Sequence, residues 1–188
     1  MRIIAGRHRG KRLEAPKGDA VRPTSERARE AVFDILAHGR FADGPAYEDV
    51  RIVDAFAGTG AMGLEAISRG ARFATFIERD GFARRVLQRN IATMGESAKC
   101  AVLVADAVKP PRGSPCELAF VDPPYGEAMG EAALMGLAAA GWLGAGALVV
   151  LERGARETFA APAGFVLLDE RRYGAARILF LRYGARGE

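Results

Sequence analysis

VDAFAGTGAMGLEA, residues 53–66, sets Gly58, Gly60 and Gly63 in the spacing G-x-G-x-x-G between an apolar run and an amphipathic one. A buried strand that turns through glycines into a helix is the fingerprint of a nucleotide-binding α/β unit. Glycine permits the tight turn and lets a ligand approach the backbone. The pattern extends outward from this stretch. RIVDAFA reads as the first strand, and AMGLEAISRG as the helix opening on glycine. ATFIE is the second strand, and GFARRVLQRNIATMG is a helix with Phe82, Val86, Leu87, Ile91 and Met94 roughly in register. AVLVA and LAFV are the third and fourth strands, a helix covers roughly residues 127–140, and ALVVLE is the fifth strand. Apolar strands separated by helices predict a parallel sheet covered on both faces. The end differs: FVLLDERRY and ARILFLRY flank Gly174 and read as two long antiparallel strands.

Charge is uneven along the chain. Residues 1–40 hold ten Lys/Arg and five Asp/Glu, whereas the remaining 148 hold seventeen and eighteen. The whole excess of +4 therefore comes from the N-terminal fifth. The first twelve residues, MRIIAGRHRGKR, carry Arg2, Arg7, Arg9, Lys11 and Arg12 and no acid. Such asymmetry is a polyanion footprint, because each neutralised phosphate releases counterions. A solvated basic tail would carry the same charge. The apolar triplet Ile3-Ile4-Ala5 and Gly10 within RHRG argue instead for a small hairpin with the arginines at its turn. The expected division is a hairpin at 1–20 and a main domain at 21–188. Beyond the loop EAPKGDAVRP, Thr24 or Ser25 can cap a helix running to about Leu36. Its buried stripe would be Ala28, Ala31, Val32, Ile35 and Leu36, with Arg27, Arg29 and Glu30 facing out.

The 188 residues, 49% hydrophobic and 27% charged, suit one domain with a core of ordinary size. No run approaches the roughly 18 apolar residues of a membrane span, and the basic N-terminus has no apolar segment behind it. A soluble, cytoplasmic protein is expected. Cys100 and Cys116 are isolated, with no CxxC pair, which fits a reducing compartment and no metal site. With His8 and His38 the only histidines, a histidine-based triad is unexpected.

Three acids fall at predicted strand ends. Glu78 lies twenty residues after Gly58, where a carboxylate can accept both hydroxyls of a ribose. That pair suits NAD as well. Asp54, four residues before Gly58, argues against a dinucleotide. An anion there is poorly placed to admit a pyrophosphate at the helix N-terminus. It suits a cationic group such as the ammonium of S-adenosylmethionine, directly or through water. Asp106, ending the third strand in VADA, could accept from an adenine amine beside the Ala107 N–H. Ala57 and Arg79 adjoin these positions. Each acid alone could be a helix cap, but open α/β sheets bind ligands where all three would lie.

The fourth strand exits through Asp122-Pro123-Pro124-Tyr125. A nucleobase amine is a poor nucleophile because its lone pair is delocalised into the ring. Accepting hydrogen bonds from both its N–H groups favours a pyramidal nitrogen with the lone pair aimed outward. The Asp122 carboxylate can accept one and the Pro123 carbonyl the other, and the prolines hold the acceptors in place in advance. Tyr125 can stack on a flipped base. Asp122 can also take the departing proton. A bare Pro-Pro pair would be read as a turn with Tyr125 as packing. The cofactor constellation one sheet position away favours the chemical reading.

Five parallel strands closed by an antiparallel pair resemble the class I methyltransferase sheet. The expected fold is therefore α/β and Rossmann-like, with seven strands plus the N-terminal β-hairpin. (D/N)PP(Y/F/W) after a glycine-rich loop looks like the signature of amino-methyltransferases acting on adenine N6, cytosine N4, guanine N2 or glutamine. RIIAGRHRGKRLEAP, VRPTSERAREAVFDIL, DAFAGTGAMGLEAISRGA, FVDPPYG and RRYGAARILFL, in that order over nearly the whole chain, resemble the RsmD family of 16S ribosomal RNA guanine-N2 methyltransferases. The resemblance implies S-adenosylmethionine and a guanine of the small ribosomal subunit or its assembly intermediate. It implies that Asp122, Pro123, Pro124 and Tyr125 orient the amine. It also implies that Asp54, Gly58, Gly60, Glu78 and Asp106 hold cofactor, with Arg22, Pro23 and Thr24 near its methionine end. A monomer without membrane association is expected. The alternative is a DNA adenine-N6 or cytosine-N4 enzyme. Such enzymes usually carry a separate recognition domain, and only 63 residues follow Tyr125. Glutamine methylation fits poorly with the basic arm and with aspartate at position 122. A non-enzymatic NAD-binding module is the last alternative.

Overall fold

The computed structural model describes residues 1–15, 26–38, 41, 46–124 and 129–184. Arg22, Pro23, Thr24 and Tyr125 lie outside the described residues, as do the expected caps Thr24 and Ser25 and the boundary between residues 20 and 21. The strands are β1 (Arg51–Ala55), β2 (Phe73–Ile77), β3 (Cys100–Leu103), β4 (Cys116–Val121), β5 (Leu143–Gly154), β6 (Phe165–Tyr173) and β7 (Ala176–Tyr183). The helices are α1 (Glu26–His38), α2 (Ala61–Ser68), α3 (Gly81–Met94) and α4 (Met129–Ala139). The strands form one sheet in the order β3-β2-β1-β4-β5-β7-β6. The first five run parallel, and β7 is antiparallel to both β5 and β6. This is the expected architecture.

Alternation along the strands divides the core in two. Ile52, Phe76, Phe120, Val150 and Phe180 pack beneath Val32 and Phe33 of α1, Leu64 of α2 and Leu87 of α3. On the opposite face, Val53, Ala119, Val121 and Leu151 pack against Ala133, Leu134 and Leu137 of α4 and against Trp142. Each fully buried large apolar side chain contributes roughly 1.5–3 kcal/mol, so the two layers hold the sheet rigid beneath whatever its edge carries. Helix ends follow local chemistry. Asp80 caps α3 by accepting from Ala83 N–H at 2.7 Å, and Gly95 closes it with φ +73°.

Several side chains depart from expectation. Arg29 is buried, not outward-facing. Its Nη2 donates to the Arg2 carbonyl at 2.6 Å, and its Nε lies 3.8 Å from the buried Glu65 carboxylate. A local helical pattern cannot foresee this, because the acid that receives Arg29 comes from α2. Phe33 joins the buried stripe, while Ala31 and Ile35 are only half-buried. Phe82, in the first turn of α3, is 51% exposed because that turn projects past the core.

The N-terminal segment pairs with itself through an antiparallel bridge between Arg2 and Arg12. Ile3 N–H donates to Lys11 O, Gly10 N–H to Ile3 O, and Leu13 N–H to Met1 O. Ile3 and Leu13 enter the same core layer as α1 and α2. Among the described residues, no helix is long and apolar enough to cross a membrane.

Candidate active site

The carboxyl ends of the parallel strands converge on one edge. Asp54, Glu78, Asp122 and Glu152 each follow, by two positions, a residue of the α1–α3 core layer (Ile52, Phe76, Phe120 and Val150), so all four belong to the same sheet face.

Asp54 is 3% exposed, and its Oδ2 accepts from Gly63 N–H at 2.9 Å. α2 has no side-chain cap from its own N-cap residue, Gly60. A strand carboxylate thus satisfies a donor of its first turn. The Asp54 carboxyl group stands at the helix end where a pyrophosphate would be received in a dinucleotide site. Burial pushes its carboxyl up to about 7, partly offset by the Gly63 hydrogen bond, with the Glu78 charge adding to the rise. Gly63 is also a close-contact glycine: a Cβ there would stand 2.4 Å from the Phe76 ring.

Glu78 holds the loop itself. Its Oε2 accepts from Gly58 N–H at 2.8 Å and its Oε1 from Asp80 N–H at 2.7 Å. Each carboxylate oxygen has two lone pairs, so each can accept a further donor from a ligand. Gly58 (φ +55°) and Gly60 (φ +83°) take left-handed conformations, and a Cβ on Gly58 would meet nothing nearer than the Phe56 carbonyl at 4.0 Å. At Gly58 the loop therefore presents bare backbone to open space, whereas a Cβ at Gly60 would stand 2.4 Å from Leu87. Phe56 is at φ +59°, a costly conformation for a bulky residue, and such strain clusters at ligand sites. Sequence reading missed Phe56, because nothing in its residue type signals a left-handed turn. Ala57 is buried, its N–H donating to Ile77 O. Asp106 shapes the turn after β3 by accepting from Val108 N–H at 2.9 Å, beside the buried Ala107. The exposed Arg79 reaches Asp106 at 3.6 Å.

Asp122 follows β4, its N–H directed at Ala55 O at 3.4 Å. Pro123 is buried and Pro124 exposed. Burial, then the charges of Glu152 and Asp54, hold the Asp122 carboxyl well above the usual carboxylate range. Glu152, near the end of β5, was not foreseen as a site residue. Its signal was present in ALVVLE, a strand that ends its apolar run on an acid as β1 and β2 do.

The arm shows a division of labour among its basic residues. Arg7 pairs with Glu96 at 3.0 Å and donates to Ile67 O, and Arg2 pairs with Glu26 at 3.3 Å. Arg9 and Arg12 are exposed and Lys11 half-exposed, and their side chains have no ion-pair partner among the described residues.

A 3-2-1-4-5-7-6 sheet with a glycine loop, strand-end acids and an Asp-Pro-Pro exit defines a class I methyltransferase of the S-adenosylmethionine-dependent fold. The family model described as "Conserved hypothetical protein 95" matches residues 1–182, and the chain belongs to that family, the RsmD family. It is 35% identical over 191 residues to Ribosomal RNA small subunit methyltransferase D of Escherichia coli K12, spanning 100% of this chain and 92% of that protein. It is 32% identical to the protein of the same name from Haemophilus influenzae, spanning 93% and 89%. Among solved structures, Escherichia coli yhhF superposes with a TM-score of 0.85 at 34% identity over 99% of both chains. HI0767 of Haemophilus influenzae superposes with a TM-score of 0.77 at 29% identity over 97% of both.

Proposed function

We propose that this methyltransferase transfers a methyl group from S-adenosylmethionine to the exocyclic N2 amine of a guanine in 16S ribosomal RNA of the small subunit. The observation that carries this reading is the adjacency of β1 and β4. It sets the Asp122-Pro123 exit beside the Asp54–Gly58 loop in a chain that is 35% identical over its whole length to a ribosomal RNA small subunit methyltransferase.

The edge suits the cofactor. Glu78 has lone pairs left for two ribose hydroxyls, with Gly58 offering open space in front of it. Asp106 and the Ala107 N–H suit an adenine edge. Asp54 sets a negative charge behind the loop and answers a cationic amino-acid group across it. Arg22, Pro23 and Thr24 are assigned to the methionine end through the family motif. When bound, S-adenosylmethionine supplies an electrophilic methyl on a sulfonium.

The chain's own residues prepare the nucleophile. The Asp122 carboxylate accepts one N–H of the amine, and the Pro123 carbonyl accepts the other. Both are preorganised, so the interaction strengthens as positive charge develops on nitrogen. Tyr125 stacks on the flipped base, a contact worth roughly 1–3 kcal/mol in single-strand binders. As the N–C bond forms and the C–S bond breaks, the nitrogen must shed a proton. Asp122, with a carboxyl raised by burial, is a suitable acceptor. Arg2, Arg7, Arg9, Lys11 and Arg12 make the arm the RNA-facing element, in the small subunit or its assembly intermediate.

Small subunits lacking the modification, incubated with methyl-labelled cofactor and digested to nucleosides, should yield labelled N2-methylguanosine. Label found only in N6-methyladenosine, or no label, would overturn the reading.

A further inference from the structure

The register of β4 with β5, Phe120 opposite Val150 and Val121 opposite Leu151, brings Glu152 alongside Asp122. On its other flank Glu152 faces Ile178 of β7. Glu152 is 8% exposed, and with Asp122 it lines a hollow whose other walls, among the described residues, are apolar side chains that include Val32, Met62, Phe120 and Ile178.

The position has a direction. The residues suited to cofactor lie on β1, β2 and the turn after β3, on one side of β4. Glu152 lies on the other side. A base whose amine is held at Asp122 and Pro123, with the methyl donor toward β1, can turn one of the two ring atoms flanking the amine toward β5. In guanine these are N1, which bears a hydrogen, and N3, which does not, and a carboxylate on the β5 side favours the pose that presents N1. In adenine and cytosine the ring nitrogen beside the amine is a bare acceptor. A carboxylate attracts the first and repels the other two.

We propose that Glu152 selects the base: its carboxylate accepts the N1–H of the target guanine while Asp122 and the Pro123 carbonyl hold the N2 amine. This rests on the guanine-N2 reading above and supplies its specificity. A site built to accept a hydrogen bond rejects analogues that cannot donate one far more strongly than an apolar pocket could.

The test uses the full-length enzyme and small-subunit RNA ligated to carry either guanosine or 2,6-diaminopurine riboside at the methylated position. The second base keeps the N2 amine but has a bare N1. The wild type should prefer guanine by at least about tenfold in kcat/KM. Glu152→Gln, whose amide can present either a carbonyl or an NH₂, should bring the two substrates within about threefold of each other. A wild type that makes N2-methylguanosine yet treats both bases alike overturns the role of Glu152 and leaves the function standing. So does a Glu152→Gln enzyme that keeps the wild-type ratio, or one that loses cofactor binding by calorimetry. A wild type that labels a different nucleoside overturns the guanine reading itself. The wild-type comparison stands even where the variant does not fold.

Discussion

A carboxylate that accepts a hydrogen bond from an amine must be ionised, and Asp122 is held where ionisation is hard. Burial and the charges of Glu152 and Asp54 all raise its carboxyl. Activity at saturating substrate should therefore rise with pH along a limb above the usual carboxylate range, read from kcat between pH 5 and 9. Glu152→Gln removes one of those charges and should move the limb to lower pH; an unmoved limb would mean the two groups do not couple. Asp122→Ala should lower kcat by at least about 100-fold while calorimetry finds cofactor affinity nearly unchanged. A collapse of cofactor binding with normal turnover at saturation would reverse the assignment. Asp54 makes a prediction about stability. Its folded-state carboxyl lies at about 7, above its unfolded value, so the folded protein binds the proton more tightly. The stability this contributes is fully present below about pH 4 and is lost as pH rises toward about 7, on the order of 4 kcal/mol at 1.36 kcal/mol per unit. Asp54→Asn keeps an acceptor for Gly63 N–H without the charge. It should lose less stability between pH 4.5 and 7.5 in urea titrations, and a variant with the same pH dependence as the wild type would count against a buried anion.

At the scale of elements, the N-terminal arm is fastened to α2 and α3. The buried Glu65 carboxylate accepts from Ile4 N–H at 2.8 Å, Ala5 N–H at 3.0 Å and Arg69 at 2.8 Å. Ser68 accepts from His8 N–H and donates to Ala5 O, and Glu96 meets both Arg7 and His8. Asn90 accepts from Glu14 N–H and donates to the carbonyls of Glu14 and Thr59, so α3 ties the arm to the glycine loop. The closest fit is at Gly6, where a Cβ would stand 2.0 Å from the Ser68 carbonyl oxygen and where φ is +79°. Gly6→Ala must push the arm away. Global stability should fall by roughly 1–3 kcal/mol, and amide exchange across residues 3–13 should quicken. Unchanged protection there would show that the arm is held by other contacts.

For the whole molecule, the excess of positive charge lies in the N-terminal fifth of the chain and the remaining residues are nearly neutral. Arg7 and Arg2 have acidic partners, whereas Arg9, Lys11 and Arg12 have no ion-pair partner among the described residues and are the arm's candidates for neutralising phosphates. Changing all three to glutamine should weaken RNA binding. It should also flatten the slope of log affinity against log salt by roughly two units, measured by filter binding from 50 to 300 mM salt. A slope like that of the wild type would make the arm a structural element only.

Much of this was legible along the chain. Strand-helix alternation, the glycine loop and an Asp-Pro-Pro exit after an apolar run are local patterns, set by the periods of helix and strand and by the backbone limits of glycine and proline. They determined the α/β class, and they singled out the acids at Asp54, Glu78 and Asp106 and, as the proposed chemical position, Asp122. What they could not determine is which strand lies beside which, because pairing is non-local and chain order does not state it. Only the tertiary structure sets β4 between β1 and β5, and so brings Asp122 next to Asp54 on one side and Glu152 on the other. Only it turns Arg29 inward to meet Glu65, and gives Arg7 to Glu96. Both arginines meet an acid that is distant in sequence and is brought to them only by folding.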